Sequence, residues 1–256
     1  MKIFKNLEEW FELRGSLIAE VRLGFVPTMG NLHAGHLSLI HNSQQENSLT
    51  AVSIFINPTQ FNNADDLQNY PRTLENDIRL LSDHNVDYCI LPSVHDIYPD
   101  GYSYQIDEKQ YSHLMEGLHR PGHFTGVLTV VMKLFNIVRP RNAYFGEKDY
   151  QQYKLLHDMA TSFFLSINIK LCATVRDASG LALSSRNNRL SITARDMAIR
   201  FAQIFNNQMD ITQIRIELEQ LGIQVEYIEE HFGRRFAAVI IDGIRLIDNY
   251  IYPQPN

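Results

Sequence analysis

Cysteine and long apolar runs are scarce in this sequence of 256 residues. The two cysteines, Cys89 and Cys172, each lie in a short apolar run, so they cannot build a disulfide framework or a zinc-knuckle spacing. No stretch approaches the roughly 18 apolar residues that cross a bilayer, and the first 15 residues carry charges throughout instead of an apolar signal core. We therefore expect a protein of the reducing cytoplasm with no membrane association.

Positive charge is also in short supply. The chain has 23 lysines and arginines against 29 aspartates and glutamates, and its formal net charge is -6. Binding along a nucleic-acid backbone needs a cationic excess on one face, so we expect no nucleic-acid partner, although a local basic pocket is compatible with this composition. A hydrophobic fraction of 45% is enough for the cores of one large domain and one smaller domain.

Short apolar runs alternate with segments of helical period through the first two thirds of the chain. This alternation is typical of strands and crossover helices in a parallel sheet. The predicted strands are 21–27, 49–56, 87–92, 142–146 and 167–175, and the predicted helices are 36–45, 74–85, 124–140 and 149–164. We predict an α/β fold, with a Rossmann-like doubly wound parallel sheet that binds nucleotide and substrate over residues 1–174.

The pattern changes after Val175. A polar loop over 176–191 carries three arginines and no periodic apolar pattern. Two amphipathic helices are predicted beyond it, over 193–207 and over 211–221 with Asp210 as N-cap, followed by two strands joined at Asp242-Gly243. We predict a smaller α+β lid domain over residues 175–256.

The segment PTMGNLHAGH, residues 27–36, lies between the first of these predicted strands and its helix. Parallel α/β sheets bind ligands at this edge, where the strands end. Gly30 and Gly35 let backbone approach a phosphate, the helix start offers unpaired N–H groups, and His33 and His36 add side-chain donors, which a neutral imidazole can still provide. These features predict a triphosphate-binding loop. The alternatives are a metal pair or two unrelated histidines, and no third ligand follows at a zinc-like spacing.

Six blocks of the sequence resemble one known family in the same order. They are FVPTMGNLHAGHLSLI (25–40), SIFINPTQF (53–61), YPRT (70–73), RPGHFTGV (120–127), GEKDYQQ (146–152) and GLALSSRN (180–187). The series is similar to that of the pantothenate synthetases, members of the nucleotidylyltransferase superfamily with the HIGH motif. The resemblance implies an ATP-dependent ligase that condenses (R)-pantoate with beta-alanine through a pantoyl adenylate, releasing AMP and pyrophosphate.

The resemblance also implies which residues form the site. His36 matches the family's proton donor, and the implied catalytic group is His33, His36, Lys148, Ser184, Ser185 and Arg186. The positions that match ATP contacts are Met29, Gly30, Asn31, Leu32, His33, Ala34, Gly35, His36, Gly146, Glu147, Lys148, Asp149, Val175, Leu183, Ser184, Ser185 and Arg186. Gln60 and Gln152 match glutamines that hold pantoate, and Gln60 also borders the beta-alanine position.

Magnesium and a second subunit are further implications of the resemblance. Many relatives have an acidic pair after the YPRT block, of which one carboxylate assists Mg²⁺ bound with the nucleotide. The corresponding pair here is Asn76-Asp77, which leaves Asp77 as the candidate metal contact. The family further implies a homodimer whose small-molecule partners are pantoate, beta-alanine and ATP.

Three other functions remain open on the sequence. The nearest is a nucleotidylyltransferase that acts on another small acid or phosphate ester and leaves a stable nucleotidyl product. A small aminoacyl-tRNA ligase relative is disfavoured by the acidic balance and by the absence of an anticodon-sized extension. A non-catalytic nucleotide-binding regulator would be marked by loss of His36, Lys148 or the Ser-Ser-Arg triplet, and all of these are present.

Overall fold

The chain forms two compact units, Met1–Cys172 and Ala173–Asn256, in a computed structural model that describes residues 1–18, 20–207 and 209–252. Residues 208 and 253–256 of the predicted lid range therefore lie outside the described residues. The assignment of residues 1–174 to substrate binding and of residues 175–256 to a lid stays a prediction.

The first unit is built on a parallel sheet of six strands in the order β1-β4-β3-β2-β5-β6. The strands are β1 (Lys2–Phe4), β2 (Leu23–Thr28), β3 (Leu49–Ile54), β4 (Tyr88–Ile90), β5 (Asn142–Gly146) and β6 (Asn168–Cys172). The helices are α1 (Leu7–Ser16), α2 (Ala34–Glu46), α3 (Ala64–Gln68), α4 (Leu74–Asp83), α5 (Val94–Ile97), α6 (Glu116–His119), α7 (His123–Val138) and α8 (Tyr150–Ser162). Short 3-10 turns lie at Pro58–Gln60, Tyr111–His113 and Glu147–Asp149.

Successive strand residues face opposite sides of the sheet and enter two different cores. In β2, Phe25 belongs to the core that contains α7 residues, whereas its neighbour Val26 belongs to the core that contains α2 residues. In β3, Ala51 and Val52 divide between the two cores in the same way. Both faces of the sheet are therefore covered, which explains why the strands have continuous apolar runs instead of alternating polar residues.

The strand order reverses between β2 and β5. From β2 the chain proceeds to β3 and β4 on one side, and then returns to place β5 and β6 on the other side. The loops that leave the carboxyl ends of β2 and β5 consequently diverge and leave a crevice between them, which is where open α/β sheets bind ligands. The PTMGNLHAGH segment follows β2 at this crevice.

The second unit contains α9 (Ile192–Phe205), α10 (Ile211–Gln220) and the strands β7 (Gln224–His231), β8 (Arg234–Ile241) and β9 (Ile244–Ile251). The three strands form an antiparallel sheet in the order β7-β8-β9. The Asp210 side chain accepts the Gln213 N–H at the start of α10, as predicted. Asp242 and Gly243 both have positive φ, at 52° and 72°, which suits the two-residue turn between β8 and β9.

The predicted fold class is confirmed, and the predicted strands and helices lie within a few residues of the observed ones. The sequence reading does not predict β1, which has three residues, or β7. Glutamates and irregular pairing between Val225 and Tyr227 obscure the alternating pattern of β7. Phe232-Gly233, which joins β7 to β8, is a weaker turn signal than an Asp-Gly pair. Over the described ranges, no helix combines the length and the apolar character that crossing a bilayer requires.

Candidate active site

The histidine loop, which we define as residues 29–36, is ordered in part by contacts among its own residues. His33 is the N-cap of α2, and its Nδ1 accepts the Gly35 N–H at 3.1 Å. His36 Nδ1 accepts the His33 N–H at 3.3 Å, so the two imidazoles form a reciprocal capping box with ring centroids 4.2 Å apart. Glycine suits position 35, because an added Cβ would lie 2.8 Å from Cε1 of His33.

This arrangement determines the protonation of both rings. An imidazole nitrogen that accepts an N–H carries no proton, so each neutral ring has its hydrogen on Nε2. Burial, followed by the positive charges of His33 and Lys148, lowers the pKa of His36 to about 3. Burial and then Lys148 lower the pKa of His33, an effect that Asp149 partly opposes. Near neutral pH the loop therefore presents two neutral Nε2–H donors at the start of α2, where the positive end of the helix dipole favours an anion.

Asp77 of α4 holds the beginning of the histidine loop. Its Oδ1 accepts the Leu32 N–H at 2.8 Å, while Oδ2 accepts the Asn31 N–H at 3.0 Å and the Thr73 hydroxyl at 3.0 Å. The Asp77 residue is only 1% exposed. A carboxylate in this position satisfies two backbone donors that the tight turn leaves unpaired, so the structure gives Asp77 a supporting role that the sequence does not reveal.

The amide turn, which we define as residues 57–60, follows β3. In the sheet, β3 lies beside β2 on the side away from β5. Asn57 is 1% exposed, and its Oδ1 accepts the Tyr98 hydroxyl at 2.7 Å and the Thr59 hydroxyl at 3.0 Å. Burial raises the pKa of Tyr98 to about 12, so this hydroxyl remains a donor. The Asn57 Nδ2 donates to the Gly126 carbonyl at 3.3 Å and to Gln60 Oε1 at 3.1 Å. These partners determine how the Gln60 amide is turned.

With its Oε1 bound to Asn57, Gln60 directs Nε2 toward the histidine loop. The Nε2 atom lies 3.1 Å from the Met29 Sδ, a weak acceptor. Gln60 thus offers N–H donors, although an amide side chain in general can donate and accept alike. An oxygen-rich ligand beside Met29 would receive hydrogen bonds from this amide without losing its own negative charge.

The loop after β5 supplies the other side of the crevice. Gly146 ends β5, Glu147–Asp149 form one 3-10 turn, and α8 begins at Tyr150. The electrostatic effect of Lys148 on both histidines places its charge near the histidine loop. Gln152 lies in the first turn of α8 with its side chain partly exposed.

Gln151, the neighbour of Gln152, is 3% exposed and has a structural role. Its Nε2 donates to the carbonyls of Tyr111 and Leu114, and its Oε1 accepts the Glu116 N–H. Of the two consecutive glutamines, Gln151 is therefore buried with its amide bonded to backbone, whereas Gln152 is partly exposed.

Five predicted ATP-contacting residues belong to the second unit. The Leu183 N–H donates to the Val175 carbonyl at 3.0 Å, so the two predicted segments are adjacent within that unit. Ser184 caps the 3-10 turn Ser185–Arg189, and its Oγ accepts the Arg186 N–H at 3.2 Å. The hydroxyls and the guanidinium of residues 184–186 are thus presented from one short turn.

Metal ligands are poorly represented in the same region. Among residues 1–18, 20–207 and 209–252, no group of three or more His, Cys, Asp or Glu side chains is arranged to hold a metal ion. The oxygens of Asp77 already accept three hydrogen bonds, and the side chain is buried. This geometry does not suit direct coordination by Asp77, whose contact with Mg²⁺ stays a prediction. A magnesium ion that arrives with a nucleotide can be held by phosphate oxygens and water.

The structure brings most of the predicted residues of the first unit together. The histidine loop, Lys148 and Gln60 lie at the ends of the adjacent strands β2, β5 and β3. The sequence reading missed Asn57 and Tyr98, which orient Gln60 without being predicted ligands. Asn57 could have been noticed, since it lies three residues before Gln60 in the NPTQF block. Tyr98 carries no local signal, because its contact with Asn57 spans 41 residues.

Comparison with known proteins gives a consistent result. The family model described as pantoate-beta-alanine ligase matches residues 2–251. Pantothenate synthetase of Legionella pneumophila strain Lens is 59% identical over 251 residues, which are 98% of this chain and 100% of that protein. Pantothenate synthetase of Coxiella burnetii strain Dugway 5J108-111 is 50% identical over 97% of this chain and 96% of its own length.

Solved structures agree with the sequence relatives. The crystal structure of pantoate-beta-alanine ligase from Francisella tularensis, complexed with beta-gamma ATP and beta-alanine, has a TM-score of 0.94 and 43% identity. The match covers 98% of this chain and 97% of that one. Pantothenate synthetase from Thermus thermophilus has a TM-score of 0.90 and 35% identity, with 99% and 100% coverage. On the family model, the sequence relatives and the solved structures together, the chain belongs to the pantoate-beta-alanine ligase family.

Proposed function

We propose that this chain condenses pantoate with beta-alanine at the expense of ATP, through a pantoyl adenylate. One observation carries the proposal: two neutral Nε2–H donors at a helix start lie beside an amide that is fixed as a donor, at the switch point of the sheet. The first feature suits the phosphates of a nucleotide, and the second suits a small hydroxy acid. The Francisella tularensis relative, which was crystallised with beta-gamma ATP and beta-alanine, supports the same substrates.

The reaction proceeds in two balanced displacements. In the first, a carboxylate oxygen of pantoate forms a bond to the α-phosphorus of ATP. The bond from that phosphorus to the bridging oxygen breaks, and pyrophosphate leaves with the electron pair. In the second, the amine of beta-alanine attacks the acyl carbon and loses a proton, while the bond from that carbon to the AMP oxygen breaks. The products are pantothenate, AMP and pyrophosphate, and no covalent enzyme intermediate is required.

The residues of the first unit contribute mainly by position and by electrostatics. His36 and His33 donate through Nε2 to phosphate oxygens on which charge accumulates, and Lys148 adds a point charge at the same place. Gln60 donates to pantoate and leaves its carboxylate free to attack, and Gln152 holds the same acid from α8. Holding the carboxylate in line with phosphorus replaces a bimolecular encounter with an oriented one.

The second unit and the cellular setting complete the proposal. Val175, Leu183 and the Ser184–Arg186 triplet contact the nucleotide, with the hydroxyls and guanidinium donating to the departing pyrophosphate. The enzyme works in the cytoplasm as a homodimer, without nucleic acid or membrane. Both cysteines are free and buried, which is compatible with a reducing compartment, and the dimer rests on the family resemblance. Sedimentation at several protein concentrations tests the dimer.

A coupled assay tests the reaction. Purified protein is given ATP, magnesium and pantoate, and the release of pyrophosphate and of AMP is followed separately before and after beta-alanine is added. We expect a stoichiometric burst of pyrophosphate with pantoate alone and continuous AMP release only with beta-alanine. Continuous accumulation of a stable nucleotidyl product, unaffected by beta-alanine, would instead identify a nucleotidylyltransferase.

A further inference from the structure

The Gln60 main chain makes a contact that the chemistry described so far does not use. Its carbonyl oxygen lies 2.8 Å from Nδ1 of His123 and 3.5 Å from Nη2 of Arg120. His123 is 7% exposed and occupies the first position of α7. Two side chains from a segment 60 or more residues further along the chain therefore hold the residue whose amide faces the histidine loop.

Only one protonation of His123 satisfies both of its neighbours. A carbonyl oxygen accepts, so Nδ1 of His123 must carry a hydrogen. The other ring nitrogen, Nε2, lies 3.2 Å from Nη1 of Arg120, and a guanidinium only donates, so Nε2 must be the acceptor. His123 is then a neutral ring oriented by Arg120, and Arg120 is itself oriented by Glu116, whose carboxylate lies 3.8 Å from Nη1.

The helix that carries His123 is also the surface on which the amide turn rests. An added Cβ at Gly126 would lie 2.5 Å from the Thr59 carbonyl oxygen and 2.8 Å from the Gln60 Cα, so backbone packs directly against backbone. His123 and Gly126 are three residues apart on α7 and share one face. Van der Waals contact at Gly126 sets the distance of the turn from the helix, but it does not prevent rotation of the Gln60 peptide. The hydrogen bond from His123 to the Gln60 carbonyl prevents that rotation.

We propose that His123, held in its tautomer by Arg120, is a positioning residue that orients Gln60 for pantoate. The inference rests on the proposed contact between Gln60 and pantoate. Asn57 fixes the far end of the Gln60 side chain, and His123 fixes its main chain, so the amide is constrained at both ends. His123 thus acts on the acid through Gln60.

Steady-state kinetics of three variants test the inference. His123→Leu removes the donor at similar volume, Gln60→Ala removes the amide, and the double variant combines them. We expect His123→Leu to raise the KM for pantoate about tenfold, the effect of losing one good hydrogen bond, and to leave the KM for ATP little changed. In the Gln60→Ala background the same substitution should add little, because the amide that it positions is gone. His113→Leu, an exposed histidine in the preceding segment, is the matched control and should behave as the parent.

The outcomes separate the positioning role from general destabilisation and from failure of the proposed function. A tenfold effect of His123→Leu that persists in full without the Gln60 amide, or that extends equally to ATP, overturns the positioning role. An effect of Gln60→Ala on pantoate with none from His123→Leu does the same. An unchanged pantoate KM in Gln60→Ala instead overturns the proposed function of Gln60, on which the inference depends.

A second pair of variants keeps the test decisive if His123→Leu fails to fold. The side-chain nitrogen of asparagine reaches approximately the place of Nδ1 in histidine, and that of glutamine reaches the place of Nε2. We expect His123→Asn to retain a pantoate KM close to that of the parent and His123→Gln to show the higher value. Equal values for the two variants would overturn the inference, because general loss of the ring affects both alike.

Discussion

The two loops that flank the crevice are held in different ways. In the histidine loop, the two imidazole contacts link residues two and three positions apart, and Asp77 supplies the main support from elsewhere. In the amide turn, the orientation of Gln60 depends on Tyr98, Gly126 and His123, which lie 38 to 66 positions further along the chain. Donors for phosphate can thus be built locally at a helix start, whereas the fixed amide requires the completed fold.

The largest effect is expected inside the histidine loop. His36→Ala removes one Nε2–H donor, and the rate of adenylation should fall by roughly two to three orders of magnitude, the range for loss of a transition-state donor. The measurement is pyrophosphate release in a single turnover with ATP and pantoate. Unimpaired release would contradict the donor role of His36.

A glutamine at the same position separates the local capping role from the chemistry. Glutamine three residues after an N-cap accepts the N-cap N–H in ordinary capping boxes, so His36→Gln should preserve the contact with the His33 N–H. We expect a melting temperature near that of the parent and a rate near that of the alanine variant. A parental rate in His36→Gln would show that the cap, and not the Nε2–H donor, is what catalysis needs.

The second effect tests the long-range support of the amide turn. Gly126→Ala places a methyl group 2.5 Å from the Thr59 carbonyl oxygen, which is backbone and must shift together with the turn. Since a displacement of about 1 Å can cost up to about 100-fold, we expect kcat/KM for pantoate to fall by roughly 10- to 100-fold. The KM for ATP should change less.

Gly15→Ala is the matched control for this substitution. Gly15 lies in α1, and an added Cβ there has no atom within 4 Å. Replacing a helical glycine by alanine should leave activity unchanged and stabilise the fold by up to about 1 kcal/mol. Parental kcat/KM in Gly126→Ala would mean that the turn tolerates displacement and that its long-range support is not needed.

The same contrast explains how much the sequence can reveal. The histidine loop was predicted because glycines, an N-cap and a strand-to-helix position are visible within ten residues. The donor-only orientation of Gln60 was not, because it depends on the Asn57 contacts with Tyr98 and Gly126, which no local pattern records. The family resemblance supplied the position of Gln60 but no reason for its geometry.

The strands also differ in how clearly a local sequence pattern reveals them. Buried parallel strands such as β2 and β5 are continuous apolar runs and are readily predicted, whereas β7 is hidden by its glutamates and its irregular pairing with β8. The role of Asp77 could be predicted only in part. Its place after the YPRT block was visible, but its contacts with the Asn31 and Leu32 N–H groups join α4 to a loop 45 residues earlier and could only be seen in the fold.

A third prediction concerns Asp77, which supports the histidine loop from α4. Asp77→Asn replaces one acceptor by a donor and leaves a buried N–H of Asn31 or Leu32 without its partner, a loss of about 1–3 kcal/mol in the free energy of unfolding. We expect the KM for ATP to rise by about tenfold, with a smaller change for pantoate. Excess magnesium should not restore the parental KM, since the defect lies in the loop.

Asp87→Asn is the control for a carboxylate that supports backbone away from the site. Asp87 accepts the Thr50 N–H at 2.8 Å near the start of β3. The histidine loop lies at the opposite, carboxyl ends of the parallel strands. Asp87→Asn should lower the free energy of unfolding without changing the KM for ATP. Recovery of Asp77→Asn by magnesium would favour a metal role for Asp77 over the supporting role.

The smallest effect is the part of the pH dependence of stability that arises from His36 in the histidine loop. The pKa of His36 is about 3 in the folded chain and near 6.5 in an unfolded one, so below pH 6.5 the unfolded state binds more protons. The contribution of neutral His36 is complete above pH 6.5 and is lost as the pH falls toward 3, by at most about 1.4 kcal/mol per pH unit.

His36→Gln cannot titrate, so its unfolding free energy should fall less steeply with decreasing pH than that of the parent. The hydrogen-bond partners of the Asn57 side chain do not titrate in this range, and Asn57→Ala should therefore lower stability by a similar amount at every pH between 6.5 and 4. If the parent and His36→Gln have the same slope between pH 6.5 and 4, burial does not keep the His36 ring neutral in the folded chain, and the contrast between the two loops fails at the histidine loop.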